Sequence, residues 1–154
     1  MLALLVMGVV GCDQGSKELA ERQLAAQPPH ELVAGRLDLD YHQNRGMAFN
    51  AERALPCGAR TLAVVIGALA VLGLVGFAWY RQRGAGRMVQ VGFGLVVAGA
   101  LGNLLDRALR GYVVDFVHLH GWPVFNVADV AIAVGAGLLV VGSFRRPADP
   151  AAAA

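Results

Sequence analysis

Three runs of this sequence, 61–80, 88–105 and 123–144, stay apolar for about the 20 residues that a helix needs to cross a hydrocarbon core. These runs constrain the chain more than any motif does. In lipid every backbone polar group must be satisfied internally, and a helix achieves this within one segment. The composition agrees, with 56% of residues hydrophobic and 16% charged, against about a quarter charged in ordinary soluble domains.

A fourth apolar run, MLALLVMGVVGC, opens the chain, and its twelve residues are too short to span alone. It reads as a first span, over about 1–14, without its beginning, since the basic residues that usually precede such a segment are missing. Its ending VVGC also resembles the lipobox of a lipoprotein signal peptide, but the charged n-region is missing and three spans follow. Cys12 and Cys57 give no disulfide framework. The expected architecture is a mainly α membrane protein. Residues 1–154 form one integral membrane domain, a bundle of four transmembrane helices with a small extracytoplasmic β-sheet.

Loop charges orient the bundle. RQRGAGR (Arg81, Arg83, Arg87) and the pair Arg145 and Arg146 are basic clusters without acidic residues, and the positive-inside rule puts both in the cytoplasm. An even number of crossings then places both termini inside, and 13–58 and 107–122 outside. In the outer segment, RLDLDYH alternates Arg36, Asp38, Asp40 and His42 with Leu37, Leu39 and Tyr41, the period of a half-buried strand. YVVDFVHL is similar, so a β-rich segment over about 30–55 is expected to share a sheet with it. The tail 145–154 is expected to be disordered. With 13 basic and 11 acidic residues, no basic block is long enough to suggest nucleic acid.

Against this apolar background a few polar residues stand out. On the third span Gly94, Ala98 and Gly102 recur every four residues, a stripe for close helix packing. Gly99, Asn103, Asp106 and Arg107 form a polar ridge toward the outer end. Asn103 needs amide partners at that depth, whereas Asp106 and Arg107 also read as ordinary helix-end residues. On the fourth span Asn126 and Asp129 are three apart, with Asp129 about two turns inside a segment otherwise free of charge. An ionisable residue there faces the bundle interior and points to function, or to a helix–helix hydrogen bond by a neutral carboxyl.

Asp115 approaches from the other side of a Gly-Trp-Pro turn, so the chain can bring the two aspartates face to face. Two carboxylates in one low-dielectric site share a proton; one then acts as base toward a water and the other as acid toward a scissile carbonyl. That chemistry is an aspartic peptidase's and needs neither metal nor cofactor. His118 and His120 invite a metal, but a catalytic zinc normally takes three protein ligands and no HExxH is present, so no metal is expected. Asp13 and Lys17, one helical turn apart, form either a solvated i, i+4 pair or a charged clamp at the rim of the site.

Five blocks together carry a family resemblance: DQGSK (13–17), NRGMAF (44–49), GALGNLLDR (99–107), GYVVDFV (111–117) and FNVADVAI (125–132). With the span pattern, they resemble lipoprotein signal peptidase (signal peptidase II), a bacterial intramembrane aspartic peptidase. The resemblance implies a catalytic dyad of Asp115 and Asp129. It further implies that Asn44, Gly46, Asn103, Arg107 and Asn126 shape the site and contact substrate, with Asp13, Lys17, Gly99 and Asp106 also in matching blocks. The implied substrate is a diacylglyceryl-modified prolipoprotein, cut N-terminal to the lipidated cysteine. Membrane lipid and globomycin-type peptide inhibitors are implied partners, and the implied location is the bacterial cytoplasmic membrane. The main rival is a small proton-coupled transporter subunit, which would need polar residues threaded through to the cytoplasmic side.

Overall fold

The apolar runs fold as helices and the alternating runs as strands. A computed structural model describes residues 2–45 and 57–144. In chain order these are α1 (Leu2–Leu24), β1 (His30–Val33), β2 (Leu37–Asn44), α2 (Cys57–Arg81), α3 (Arg87–Leu109), β3 (Val113–Leu119) and α4 (Val127–Phe144). Among the described residues, α3 and α4 meet the length and hydropathy of a membrane span. The expected helix–sheet architecture is present, with 23 residues in α1 and 25 in α2.

Element boundaries differ from expectation at several points: α2 begins at Cys57 rather than 61, and α3 runs to Leu109 rather than 105. The first helix runs on to Leu24, well past the apolar opening, so DQGSK lies within it. The last begins at Val127 rather than near 123. Pro123 lacks a backbone N–H, and the segment after it turns back on β3: Phe125 N donates to the Val117 carbonyl at 3.0 Å, and Val117 N to the Phe125 carbonyl at 2.9 Å.

α3 is the central helix, packed against α1, α2 and α4. Its stripe of small residues seats α1: Ala98 is fully buried, and a Cβ added at Gly102 would lie 2.5 Å from Asp13 Oδ2. On the side facing α4, a Cβ at Gly99 would lie 2.3 Å from the Ala128 carbonyl oxygen, closer than any side chain permits. Glycine there sets how near α3 and α4 come.

The three strands form an antiparallel sheet in the order β1-β2-β3. Its register sets Asp38 opposite His118 and His42 opposite Asp115, with an irregularity between Leu39 and His42. Gly111 (φ 77°) and Gly121 (φ 85°) turn the chain into and out of β3 in the left-handed conformation that glycine tolerates.

Burial is inverted relative to a water-soluble protein. Leu4, Leu74, Leu109 and Phe144 are largely exposed, while Lys17, Asn126, Asp13 and Asp106 are among the largest fully buried side chains. An apolar exterior around a polar interior suits a chain whose solvent is lipid.

Candidate active site

The polar interior gathers where the C-terminal half of α3, the N-terminus of α4, β3 and the middle of α1 meet. Asn126 is the N-cap of α4. Its Oδ1 accepts from the Asp129 backbone N–H at 3.0 Å, and its own N–H donates to Asp129 Oδ2 at 3.3 Å. This reciprocal pair is a capping box, with Asp129 at the third helical position. Asp129 is thus in the first turn, shallower than the two turns expected, and half-buried. The N-terminal end of a helix favours a negative charge.

The Gly-Trp-Pro reversal brings Asp115 to the same place. Asn126 Nδ2 donates to Asp115 Oδ1 at 2.6 Å, and Asn44 Nδ2, from β2, donates to Asp115 Oδ2 at 2.9 Å. Asn103 closes the circuit. Its Nδ2 donates to Asp129 Oδ1 at 2.8 Å, while its Oδ1 accepts from Asn126 Nδ2 at 3.2 Å and from Lys17 Nζ at 2.9 Å. The two aspartates are therefore held through shared asparagines. Asp115 is 3% exposed, and burial pushes its carboxyl above the usual carboxylate range. Hydrogen bonds from Asn44 and Asn126 oppose that rise, and the charge of Asp129 adds to it. Arg107 Nη1 donates to the Asn103 carbonyl at 3.0 Å, within electrostatic reach of Asp115 and Asp129.

Beneath this circuit lies an ionic cluster. Lys17 Nζ sits 2.8 Å from both Asp13 Oδ2 and Asp106 Oδ2, and all three side chains are buried. Asp13 Oδ1 accepts from the Ala128 backbone N–H at 2.9 Å, tying α1 to the first turn of α4. Asp106 accepts from Gln14 Nε2 at 3.1 Å, from Arg110, and from the Val114 backbone N–H at 3.3 Å, which fixes the start of β3. Asp106 is thus no solvated helix end, and Asp13–Lys17 is no surface pair. Among the described residues, every buried side-chain nitrogen and oxygen has a hydrogen-bond partner.

Asp13, Lys17, Asn44, Gly99, Asn103, Asp106, Arg107, Asp115, Asn126 and Asp129 all contribute to this region, Gly99 through helix packing. Gly46 lies outside the described residues. Sequence reasoning missed Gln14 and Arg110, which complete the partners of Asp106, with Arg110 Nη1 donating to Gln14 Oε1 at 3.1 Å. The Asn-x-x-Asp spacing was the available signal for the capping box. His118 and His120 stand apart, beside Asp38 on the sheet.

The family profile described as signal peptidase (SPase) II matches residues 5–145. A lipoprotein signal peptidase of Halothermothrix orenii is 39% identical over 141 residues, covering 92% of this chain and 93% of the relative. One of Photorhabdus laumondii is 34% identical over 147 residues, covering 93% and 87%. A solved bacterial membrane enzyme structure, obtained by the in meso method, matches with a TM-score of 0.81 at 26% identity, covering 95% of this chain and 94% of that one.

Proposed function

The chain belongs to the signal peptidase II family, and we propose that it cleaves prolipoprotein signal peptides with Asp115 and Asp129 as a water-activating pair. The observation that carries this reading is the asparagine circuit, in which Asn126 touches both aspartates and Asn103 links Asn126 to Asp129. A carboxylate pair held through common donors needs no cofactor to activate water.

In this reading the pair shares one proton, burial of Asp115 favours its acid form, and Asp129 in the first turn of α4 serves as the base toward water. Asp129 takes a proton from water as the oxygen attacks the scissile carbonyl, and Asp115 gives its proton to the carbonyl oxygen. Two carboxylates sharing one proton carry a single negative charge, which the nearby Arg107 offsets. Lys17, Asp13 and Asp106 position Asn103, the α4 N-terminus and β3, and do not take part in proton transfer.

The substrate is a diacylglyceryl-modified prolipoprotein, cut N-terminal to its lipidated cysteine. Its acyl chains stay in the bilayer while the peptide reaches a dyad at the ends of α3 and α4, beneath the sheet. All four helices cross the cytoplasmic membrane, with both termini inside and the aspartates near the outer face, which the basic 81–87 loop at the opposite end of α3 supports. Globomycin-type peptides compete with the substrate for the aspartate pair. A proton-relay role finds less support, because Gln90, at the far end of α3, is bonded to Trp79 and to the Gln82 carbonyl rather than to the circuit.

The test is incubation of the purified protein with a diacylglyceryl-modified prolipoprotein and its unlipidated counterpart. Mass spectrometry should find cleavage directly before the modified cysteine in the first alone. Absence of cleavage, or equal cleavage of both, contradicts the proposal.

A further inference from the structure

Away from the aspartates, the sheet carries a second cluster of groups able to bind an ion: Asp38 on β2, His118 on β3 and His120 just beyond it. His118 and His120 are alternate residues, and their rings meet edge-on at 5.0 Å. Register sets Asp38 opposite His118. Asp38 Oδ2 lies 3.7 Å from His118 Nδ1 and 2.9 Å from His120 Nε2, and all three donor atoms lie within 4.8 Å of one another.

We propose that Asp38, His118 and His120 bind one divalent transition cation of the Zn²⁺ class, stapling β2 to β3. Zn–N and Zn–O bonds of about 2.0–2.1 Å in a tetrahedron set ligand atoms roughly 3.4 Å apart. The two carboxylate–imidazole separations already bracket that value, so side-chain rotation suffices. Imidazole nitrogens with one carboxylate favour Zn²⁺ and its neighbours over Ca²⁺ and Mg²⁺, which prefer all-oxygen shells.

Exposure and support also suit an ion. The Asp38 side chain is 13% exposed, against 32% for His118 and 45% for His120, so the anionic ligand sits inward and the imidazoles face an entry path. The His120 backbone N–H donates to the Arg36 carbonyl at 2.9 Å, which fixes the segment against the β1–β2 turn. On binding, a water completes the shell. The ion takes no part in peptide cleavage. It stiffens the sheet in which Leu39 with Val117, and then His42 with Asp115, follow toward the dyad.

The test uses full-length protein without a polyhistidine tag, stripped with chelator in detergent. Zn²⁺ is titrated by calorimetry, and Co²⁺ by visible absorption. The expected result is one equivalent bound at micromolar affinity or tighter, and tetrahedral Co²⁺ bands. Asp38→Asn, His118→Ala and His120→Ala should each weaken binding by at least about 10-fold. His42→Ala, which alters the exposed two-residue pair of His42 with Asp40, should leave it unchanged. No saturable binding by the wild-type protein overturns the proposal without any variant. Full binding by the His118→Ala/His120→Ala double variant overturns it equally.

Discussion

Asn126 Nδ2 reaches Asp115 Oδ1 at 2.6 Å, so the residue that caps α4 also holds a carboxylate on β3. Asn126→Ala removes both functions. The lost cap should destabilise the protein by about 1 kcal/mol, and buried acceptors left unpaired should add about 1–3 kcal/mol. Cleavage should fall by on the order of 10²-fold through misplacement of the pair. Thermal unfolding and initial rates check both parts. A variant with normal stability but no activity would make Asn126 a substrate contact rather than a clamp.

Lys17 is the buried cation between Asp13 and Asp106. Lys17→Met leaves buried Asp13 without a compensating charge and Asp106 with Arg110 alone, which should destabilise by about 3–5 kcal/mol. Adding Asp13→Asn should restore part of the loss, since the stranded charge goes with it. Denaturant unfolding of the single and double variants measures this. A loss under about 1 kcal/mol for Lys17→Met would contradict the role given to the cluster.

Gly99→Ala places a methyl where the Ala128 carbonyl oxygen stands. Overpacking of this kind costs about 1–3 kcal/mol. Because Ala128 adjoins Asp129, the displacement should also lower kcat. Wild-type stability and kcat would show that α3 and α4 can separate freely at this point.

Burial raises the Asp115 carboxyl above the usual carboxylate range. The acid form is present below that raised value and lost as pH rises through it, so kcat/KM should show an alkaline limb set by the coupled pair. The same shift has a stability sign. A carboxyl with a raised folded-state pKa opposes folding once ionised, so stability declines as pH climbs from the unfolded-state value through the folded one. Asp115→Asn should flatten that slope above the ordinary aspartate value of about 4. Parallel unfolding profiles for wild type and variant would contradict the shift.

Much of this site was legible in the sequence because charge is conspicuous among apolar residues. Asp115 and Asp129 stood out on that ground, and Gly121 and Pro123 marked the reversal that joins them. The depth of Asp129 was misjudged because PVFNVADV is apolar on both sides of its cap, which hides where turn ends and helix begins. The partners of Lys17 across α1 and α3 leave no periodic trace, since they depend on which helix faces meet. Asp38 went unpaired with His118 and His120 for a similar reason: its place follows from a strand register shifted between Leu39 and His42.

The central claim is that Asp115 and Asp129 together activate the attacking water. Its most direct test compares cleavage of one diacylglyceryl-modified prolipoprotein by wild type, Asp115→Asn and Asp129→Asn, each first shown to be folded by thermal unfolding. Both variants should lose at least about 10²-fold in kcat. Cleavage at the wild-type rate by either one would contradict the assignment of the pair.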